Sequence, residues 1–402
     1  MTESTYFRKG FGLKQEIEGA LSADYHSRLV DSVRANGYRL EVGDLTFRLA
    51  REFGFCYGVD RAVEYAYETR EKFPDARIFL VGEIIHNPHV NRRLEEKGIT
   101  IIERSPSGAF DFSGVRPQDV VILPAFGVTV QDFERLRTAG CVLVDTTCGS
   151  VLNVWKRVER YAKDGFTALV HGKHMHEETR ATASQVTRFP GGRYLVVRDM
   201  NEAETVCGYI ERGGDADGLM RQFGHAASAG FDFARDLERV GVANQTTMLA
   251  RESLAIADRV KTAFARRYGE EAVSDHFRSF DTICSATQER QDAVIELLRE
   301  PLDIMVVIGG YNSSNTMSLA KMCSEQVRTY HIEDSSSIDP DRGVISHQPV
   351  GAKTESATGG WLPPAARIIG ITAGASTPNN KIGEAIARIC QTRGLELPPE
   401  LP

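Results

Sequence analysis

Short apolar runs alternate along the chain with longer amphipathic stretches, and this alternation constrains the fold more than any other feature. The runs are strand-sized and rich in β-branched residues: Ala76–Val81, Val120–Leu123, Cys141–Val144, Phe166–Val170, Tyr194–Val197, Val240–Ala243, Asp303–Ile308, Thr329–Ile332 and Ile368–Thr372. Nearly continuous apolar strands separated by helices are typical of parallel sheets that are covered on both faces. The sequence therefore predicts the α/β fold class.

Many of these runs end in a cluster of small and polar residues that leads into a helical stretch. The clusters are Asp145–Cys148, His171–His176, Asn244–Thr247, Gly309–Asn315 and Thr372–Pro378. Ligands of open α/β sheets bind outside the carboxyl ends of the strands. We therefore expect the functional residues to lie in these clusters.

Three cysteines repeat one local design, because each follows a strand-like run and comes just before a helical stretch. The cysteines with their following helices are Cys56 with Val59–Tyr67, Cys148 with Val151–Tyr161, and Cys284 with Ala293–Leu298. A helix start favours a thiolate through the helix dipole and the unpaired amide groups. Three copies of the design predict three similar α/β units, with small and mostly parallel sheets, around a shared centre.

These units give the predicted domain organisation. Its parts are an N-terminal extension (1–46), unit 1 with Cys56 (47–147), unit 2 with Cys148 and an insertion near 212–235 (148–283), unit 3 with Cys284 and an insertion near 340–364 (284–390), and a C-terminal tail (391–402).

The spacing of the cysteines excludes a locally folded metal knuckle, since no pair is separated by the two residues of a zinc finger or ferredoxin motif. Any metal site must be assembled from separate units. Three thiolates are one short of a closed four-ligand site, so a [4Fe–4S] cluster held by them keeps one iron open to substrate. The remaining cysteines are explained by core packing: Cys141, Cys207, Cys323 and Cys390.

Composition narrows the class of function further. A net charge of -7 argues against nucleic acid as a partner, because a nucleic-acid footprint is normally basic. No apolar run approaches the roughly 20 residues of a membrane-spanning helix, and the N-terminus lacks the apolar core of a signal peptide. We expect a cytoplasmic protein whose seven cysteines are free thiols.

Two histidine segments follow strands and offer groups for acid–base work or anion binding. The first contains His86 and His89; the second contains His171, His174 and His176 followed by two glutamates. A lone histidine is more often a hydrogen-bonded loop residue, but the density of titratable groups in the second segment favours function. Two further clusters, Asn312–Asn315 and Ser376–Pro378, have the composition of helix caps and also suit a phosphate cradle.

Together these motifs resemble the 4-hydroxy-3-methylbut-2-enyl diphosphate reductase (IspH/LytB) family, in its longer cyanobacterial and plant form. The resemblance runs from about residue 47 to 385 and rests on ordered motifs: Gly54–Val59, His86-Asn87, Asp145–Cys148, His176–Thr179, Gln245–Thr247, Ile283–Gln291, Asn312–Asn315 and Thr372–Ser376.

The resemblance implies a trefoil of three α/β units around a central [4Fe–4S] cluster held by Cys56, Cys148 and Cys284. It implies reductive loss of the allylic hydroxyl of the substrate, giving isopentenyl and dimethylallyl diphosphate in the last step of the non-mevalonate pathway. Thr246 would lie beside the substrate hydroxyl, and Glu178 would relay protons, with Glu177 as the close alternative. The diphosphate would be bound by His86, His176, Ser313, Ser314, Asn315 and Ser376.

One position departs from the family. Shorter members carry a His-Gly pair where this chain reads Phe126-Gly127, and a phenylalanine cannot donate a hydrogen bond to phosphate. One diphosphate contact is therefore missing or is supplied elsewhere, with Lys173 and His174 as the candidates.

Other functions compete with this interpretation. A cluster-dependent hydro-lyase acting on a phosphorylated substrate would use the open iron only as a Lewis acid and would need no reductant. A cluster-based redox sensor would require a basic or signalling surface, and a zinc protein would be colourless. The resemblance also implies an electron-donor protein, a ferredoxin or a flavodoxin.

Overall fold

A computed structural model describes residues 5–105, 108–280 and 282–398. Its strands are β1 (Tyr6–Phe7), β2 (Arg39–Val42), β3 (Leu45–Leu49), β4 (Ile78–Val81), β5 (Ile99–Ile102), β6 (Val120–Leu123), β7 (Val142–Asp145), β8 (Thr167–His171), β9 (Tyr194–Val197), β10 (Val240–Asn244), β11 (Phe277–Ser279), β12 (Ile304–Ile308), β13 (Thr329–Ile332), β14 (Ile338–Asp339), β15 (Val344–His347), β16 (Ser356–Gly359) and β17 (Ile368–Ala373).

The helices are α1 (Lys14–Tyr25), α2 (Arg28–Ala35), α3 (Tyr57–Lys72), α4 (Pro88–Glu96), α5 (Val130–Ala139), α6 (Gly149–Lys163), α7 (Glu177–Ser184), α8 (Met200–Arg212), α9 (Ala216–Phe223), α10 (Phe233–Asp236), α11 (Ala250–Tyr268), α12 (Val273–His276), α13 (Ser285–Leu297), α14 (Ser314–Ser324) and α15 (Asn379–Thr392). In the described part of the chain no helix is long and apolar enough to cross a membrane.

The chain divides into two compact units. The first contains Met1–Lys9, Ala76–Gly82 and Thr100–Cys284, and the second contains Gly10–Asp75, Glu83–Ile99 and Ser285–Pro402. The sequence predicts three units of consecutive residues, whereas both of these compact units are assembled from separate stretches of chain. Sequence patterns indicate local elements well but do not show which distant strands pair.

The first unit carries two sheets. One has the strand order β1-β7-β6-β4-β5 and the other the order β11-β10-β8-β9. The pairs β6–β7, β4–β6, β8–β10 and β8–β9 are all parallel. The strands are apolar on both faces, as in β6, where every residue is buried. Buried parallel strands of this kind bring their carboxyl ends to the same edge of the sheet.

The N-terminal extension contributes to the first of these sheets. Strand β1 runs parallel to β7, with Tyr6 opposite Leu143. The insertion near 212–235 also packs into the fold, because Phe223, Phe231 and Phe233 are buried in the core that covers β8–β10. Its aromatic residues, rather than helical periodicity, are the sequence signal of that burial.

The second unit is built on a sheet with the order β13-β12-β17-β3-β2. Strands β12, β13, β17 and β3 are parallel, and β2 adds an antiparallel edge. The predicted unit 1 groups Phe47 with residues up to 147. In the structure, β3 pairs with β17, and Phe47 lies opposite Ile369. The predicted boundary after residue 46 also falls inside β3, which begins at Leu45.

The insertion near 340–364 contains most of a small antiparallel sheet, β14-β15-β16, which is part of the second unit. Trp361, at the end of this insertion, is buried against Tyr330 in the core of that unit. Of the predicted C-terminal tail, α15 extends to Thr392, and residues 399–402 lie outside the described part.

The α/β class and the strands expected from the apolar runs are confirmed. Each of the nine predicted runs corresponds to an observed strand, with ends that differ by at most two residues. The prediction that a strand leads directly into Cys284 is wrong, because β11 ends at Ser279 and Thr282–Cys284 are not in a strand.

Candidate active site

All three cysteines of the repeated design lie immediately before a helix, as predicted. Cys56 and Cys148 are the N-cap residues of α3 and α6, with extended backbone, and Cys284 directly precedes α13. These three cysteines are partly exposed, whereas the other four are buried. The difference in exposure separates cysteines available to a ligand from cysteines used in packing.

Cys148 and Cys284 lie close together within the first unit. Burial raises the pKa of the Cys148 thiol, and the charge of Cys284 raises it further, while the backbone amides of Ser150 and Val151 oppose the shift. Two thiolates that repel each other at a helix start are stabilised by a bound metal centre, whose positive charge offsets the repulsion. The donor set therefore fits a thiolate-bound cluster.

Cys56 is held in the second unit by the loop that follows β17. Its backbone N–H donates to the carbonyl of Ala375 at 3.2 Å. Gly54 has a φ of 75°, and Arg290 donates to its carbonyl at 2.7 Å. A side chain at Gly54 would approach the carbonyl of Thr377 at 3.3 Å, so glycine allows the two loops to meet. This contact brings Cys56 next to the segment that carries Ser376.

Glu178 and Thr246 meet inside the first unit. Glu178 is in the first turn of α7 and only 2% exposed, and its Oε1 accepts a hydrogen bond from the backbone N–H of Thr246 at 2.5 Å. Thr246 is buried after β10, in the loop that follows that strand. A carboxyl group in this position is fixed by the backbone and shielded from bulk water.

Glu177 has a different environment from its neighbour. Its carboxylate lies 3.4 Å from the guanidinium of Arg104, and 29% of its side chain is exposed. Adjacent residues of α7 lie on different faces of the helix, and the carboxylate that accepts from Thr246 is that of Glu178. The two glutamates that the sequence left open as proton relays therefore have different partners.

His176 is the N-cap residue of α7. Its Nδ1 accepts the backbone N–H of Glu178 at 3.2 Å, so the neutral imidazole carries its proton on Nε2. Phe126 packs edge-on against the His176 ring, with 6.0 Å between ring centroids. The residue that departs from the family pattern thus contacts a histidine instead of offering a hydrogen bond itself.

His86 is oriented by two polar neighbours in the second unit. Its Nδ1 donates to Glu83 Oε2 at 2.8 Å, and the same oxygen accepts the amide of Asn312 at 2.9 Å. The Ser376 hydroxyl donates to the His86 carbonyl at 3.1 Å. His86, Asn312 and Ser376 are therefore brought together, although they come from three separate segments.

The loop Gly309–Asn315 ends in two buried polar groups that lack a partner. Ser313 caps α14 by accepting the N–H of Thr316. Within the described residues, Ser314 Oγ and Asn315 Nδ2 have no hydrogen-bond partner, although both are buried. Buried donors are normally paired, and an unpaired one costs about 1–3 kcal/mol. Their position at a helix start suits an anion that accepts both hydrogen bonds.

The second predicted helix cap, Ser376–Pro378, does not use its serine as the capping residue. Helix α15 begins at Asn379, with Pro378 in the N-cap position. Ser376 does not cap this helix, because its hydroxyl is directed to His86. Ser376 therefore lies beside His86, which is also predicted to bind the diphosphate.

The two residues considered as replacements at Phe126 have distinct surroundings. Burial lowers the pKa of Lys173, whose backbone N–H donates to Gln245 Oε1 at 3.2 Å. His174 lies against His225, with ring centroids 4.5 Å apart, and burial lowers its pKa. Of the two, Lys173 contacts the 245–247 segment, through the hydrogen bond from its backbone N–H to Gln245.

Three supporting residues were given no role in the sequence interpretation. Glu83 accepts a hydrogen bond from the His86 ring, and Arg290 donates to the carbonyl of Gly54 in the loop before Cys56. Gln245 Oε1 accepts from both the Thr179 hydroxyl and the backbone N–H of Lys173. Glu83 lies three residues before its histidine, which is a detectable signal. Arg290 and Gln245 act through contacts between distant segments, which one sequence does not reveal.

These features define an α/β protein with three partly exposed cysteines at helix starts and, within the described residues, two unpaired buried donors at the start of α14. A family model described as LytB protein matches residues 47–390. The chain belongs to the LytB family, as the ordered motifs indicated.

Relatives support this assignment over nearly the whole chain. The chain is 49% identical over 395 residues to the 4-hydroxy-3-methylbut-2-enyl diphosphate reductase of Thermosynechococcus vestitus, covering 98% of this chain and 96% of that protein. It is 48% identical over 399 residues to the enzyme of the same name from Gloeobacter violaceus, covering 98% and 94%. The likeness to the longer cyanobacterial form is confirmed.

Solved structures share the fold. A structure described as (E)-4-hydroxy-3-methyl-but-2-enyl diphosphate reductase, the terminal enzyme of the non-mevalonate pathway, is 26% identical with a TM-score of 0.52, covering 85% of this chain and 98% of that chain. The E-1-hydroxy-2-methyl-but-2-enyl-4-diphosphate reductase of Plasmodium falciparum is similar in fold, with 21% identity and a TM-score of 0.63, covering 88% and 89%.

Proposed function

We propose that this chain reduces (E)-4-hydroxy-3-methylbut-2-enyl diphosphate to isopentenyl and dimethylallyl diphosphate, the last step of the non-mevalonate isoprenoid pathway. The observation that carries the proposal is the buried Glu178–Thr246 hydrogen bond, in the same unit as Cys148 and Cys284. Family membership and the printed names of the relatives agree with this chemistry.

We propose that Cys56, Cys148 and Cys284 hold one [4Fe–4S] cluster with one iron not ligated by the protein. Their helix-start positions and partial exposure support this role. When bound, the cluster would supply electrons one at a time and an open iron for the substrate hydroxyl. Among the described residues none of the seven cysteines forms a disulfide, which suits a reducing cytoplasm.

Glu178 would deliver the proton that lets the hydroxyl leave as water. Hydroxide is a poor leaving group, and a positioned acid lowers the barrier to its departure. The Thr246 N–H holds one carboxyl oxygen and so fixes the direction of the group. The Thr246 hydroxyl would orient the substrate hydroxyl. Glu177 is less suited, because its carboxylate is paired with Arg104.

Several donor groups would bind the diphosphate. In the second unit, Ser314 Oγ and Asn315 Nδ2, which lack a hydrogen-bond partner among the described residues, would donate to phosphate oxygens. Ser313, Ser376 and His86 lie beside them. His176 would donate through Nε2, because Nδ1 already accepts a hydrogen bond. The energy of diphosphate binding would hold the hydroxyl end in its reactive position. Lys173 is the candidate for the contact that Phe126 cannot make.

The test is anaerobic purification with iron and sulfide analysis, followed by an assay on the allylic diphosphate with and without reductant. We expect a cluster-containing protein that forms both isoprenoid diphosphates only when reductant is present. Turnover without reductant would favour the hydro-lyase, and colourless protein containing zinc would exclude cluster chemistry.

A further inference from the structure

One face of α6 is strongly basic although the chain as a whole carries a net charge of -7. Lys156, Arg157, Arg160 and Lys163 are all exposed on this helix. Their spacing of three, four and seven residues places them along one side of the helix. Two carboxylates near this face are themselves paired with cations. Asp164 lies 3.9 Å from Arg160 and also pairs with Arg278, and Glu159 lies 3.5 Å from Arg188.

An exposed aromatic ring lies beside these cations. Phe280 is 37% exposed, stacks on Tyr161 with ring centroids 6.1 Å apart, and is covered by the guanidinium of Arg157 at 4.1 Å. Aromatic and arginine side chains held in this way are enriched among the residues that dominate protein–protein binding. We call the set Lys156, Arg157, Arg160, Lys163 and Phe280 the α6 basic face.

The α6 basic face is close in the chain to two of the proposed cluster ligands. Helix α6 begins directly after Cys148, and a rise of 1.5 Å per residue places Arg157 about 13 Å along the axis from it. Phe280 precedes Cys284 by four residues. Helix α6 therefore follows Cys148 in the chain, and the segment with Phe280 leads to Cys284. These two thiols lie close together in the first unit.

We propose that the α6 basic face docks an acidic one-electron carrier protein that reduces the enzyme, an inference that rests on the proposed function. The carrier's acidic surface would be attracted to this face, although the chain as a whole carries a net charge of -7. Such a local reversal of charge steers encounter to one orientation and raises the association rate. Phe280 would supply the apolar contact at its centre.

The electrons balance over two encounters. Each carrier molecule is oxidised by one electron, and the cluster is reduced by one electron. Two such transfers and two protons convert the allylic alcohol to an alkene and water, so no other reductant is required.

The test compares the variant Arg157→Glu/Arg160→Glu with the control variant Lys261→Glu/Arg221→Glu. The control residues are exposed cations on α11 and α9 of the same unit, and the two pairs change the net charge equally. Turnover is measured with a reduced acidic plant-type ferredoxin and, separately, with a small chemical reductant. Binding of oxidised ferredoxin is measured by calorimetry, and both measurements are repeated at rising ionic strength.

We expect the test variant to lose at least about tenfold in ferredoxin-dependent kcat/KM at low salt, because steering by surface charge is removed. Ferredoxin binding should weaken in parallel and lose its salt dependence, whereas the chemically reduced rate and the control variant should be unchanged. Unchanged ferredoxin binding and turnover in the test variant would overturn the docking site. Absence of chemically driven turnover in the wild-type protein would instead overturn the proposed function.

Discussion

The Glu178 carboxylate accepts the backbone N–H of Thr246 at 2.5 Å, so an acid on a helix start is fixed by the loop that follows a different strand. Glutamine at 178 keeps the accepting oxygen but cannot carry an ionisable proton. We expect Glu178→Gln to keep the cluster absorbance and to lose roughly 10²–10⁴-fold in turnover. Steady-state assays with spectra of the same samples measure both.

The matched control is Glu177→Gln, which removes the neighbouring carboxylate that pairs with Arg104. Its turnover should stay close to that of the unmodified protein. A larger loss in Glu177→Gln than in Glu178→Gln would move the proton role to Glu177.

Ser314→Ala tests the proposed diphosphate cradle. Its hydroxyl is buried without a partner among the described residues, so removal should not destabilise the free protein. The loss of one donor to a charged ligand should raise KM for the diphosphate about tenfold. Ser324→Ala, at the other end of α14, is the control, since Ser324 Oγ donates to Lys321 in an exposed turn. A lowered melting temperature with unchanged KM would assign Ser314 a packing role.

Cys148→Ser should abolish the cluster. Serine is a poor replacement for a thiolate ligand of iron, and the remaining cysteines would leave the site open on one side. Cys141→Ser is the matched control, because Cys141 is buried and its thiol donates to the carbonyl of Leu136. Iron and sulfide per chain are measured after anaerobic purification. Full cluster content in Cys148→Ser would remove Cys148 from the ligand set.

The burial of His331 leads us to expect that the stability of the protein depends on pH. Its Nε2 donates to the carbonyl of Gly309, where the loop to Ser314 begins, and burial lowers its pKa from 6.5 to about 4. The unfolded chain therefore binds a proton first as pH falls. Its contribution is complete above pH 6.5 and is lost as pH falls toward 4. The size of this loss is roughly 3 kcal/mol, from about 1.4 kcal/mol per pKa unit.

Urea unfolding at several pH values between neutral and acidic measures this effect. His331→Gln should show a smaller fall in the free energy of unfolding over the same range, because glutamine does not titrate. An identical fall in both proteins would assign the pH dependence to other groups.

Sequence patterns predicted the local parts of this structure well. The apolar runs gave the parallel strands, and the three cysteines were placed at helix starts, because both signals depend on neighbouring residues. The pairing of β3 with β17 was not predicted, since it joins residues more than 300 positions apart. The different partners of Glu178 and Glu177 could not be predicted either, because Thr246 and Arg104 belong to distant segments.

We propose above all that Cys56, Cys148 and Cys284 hold a cluster with one iron open to the substrate hydroxyl. Mössbauer spectroscopy of iron-labelled, anaerobically purified enzyme with and without the allylic diphosphate tests it most directly. We predict a [4Fe–4S] spectrum in which the signal of one iron changes when substrate is added and the others do not. A spectrum that is identical with and without substrate would contradict the account.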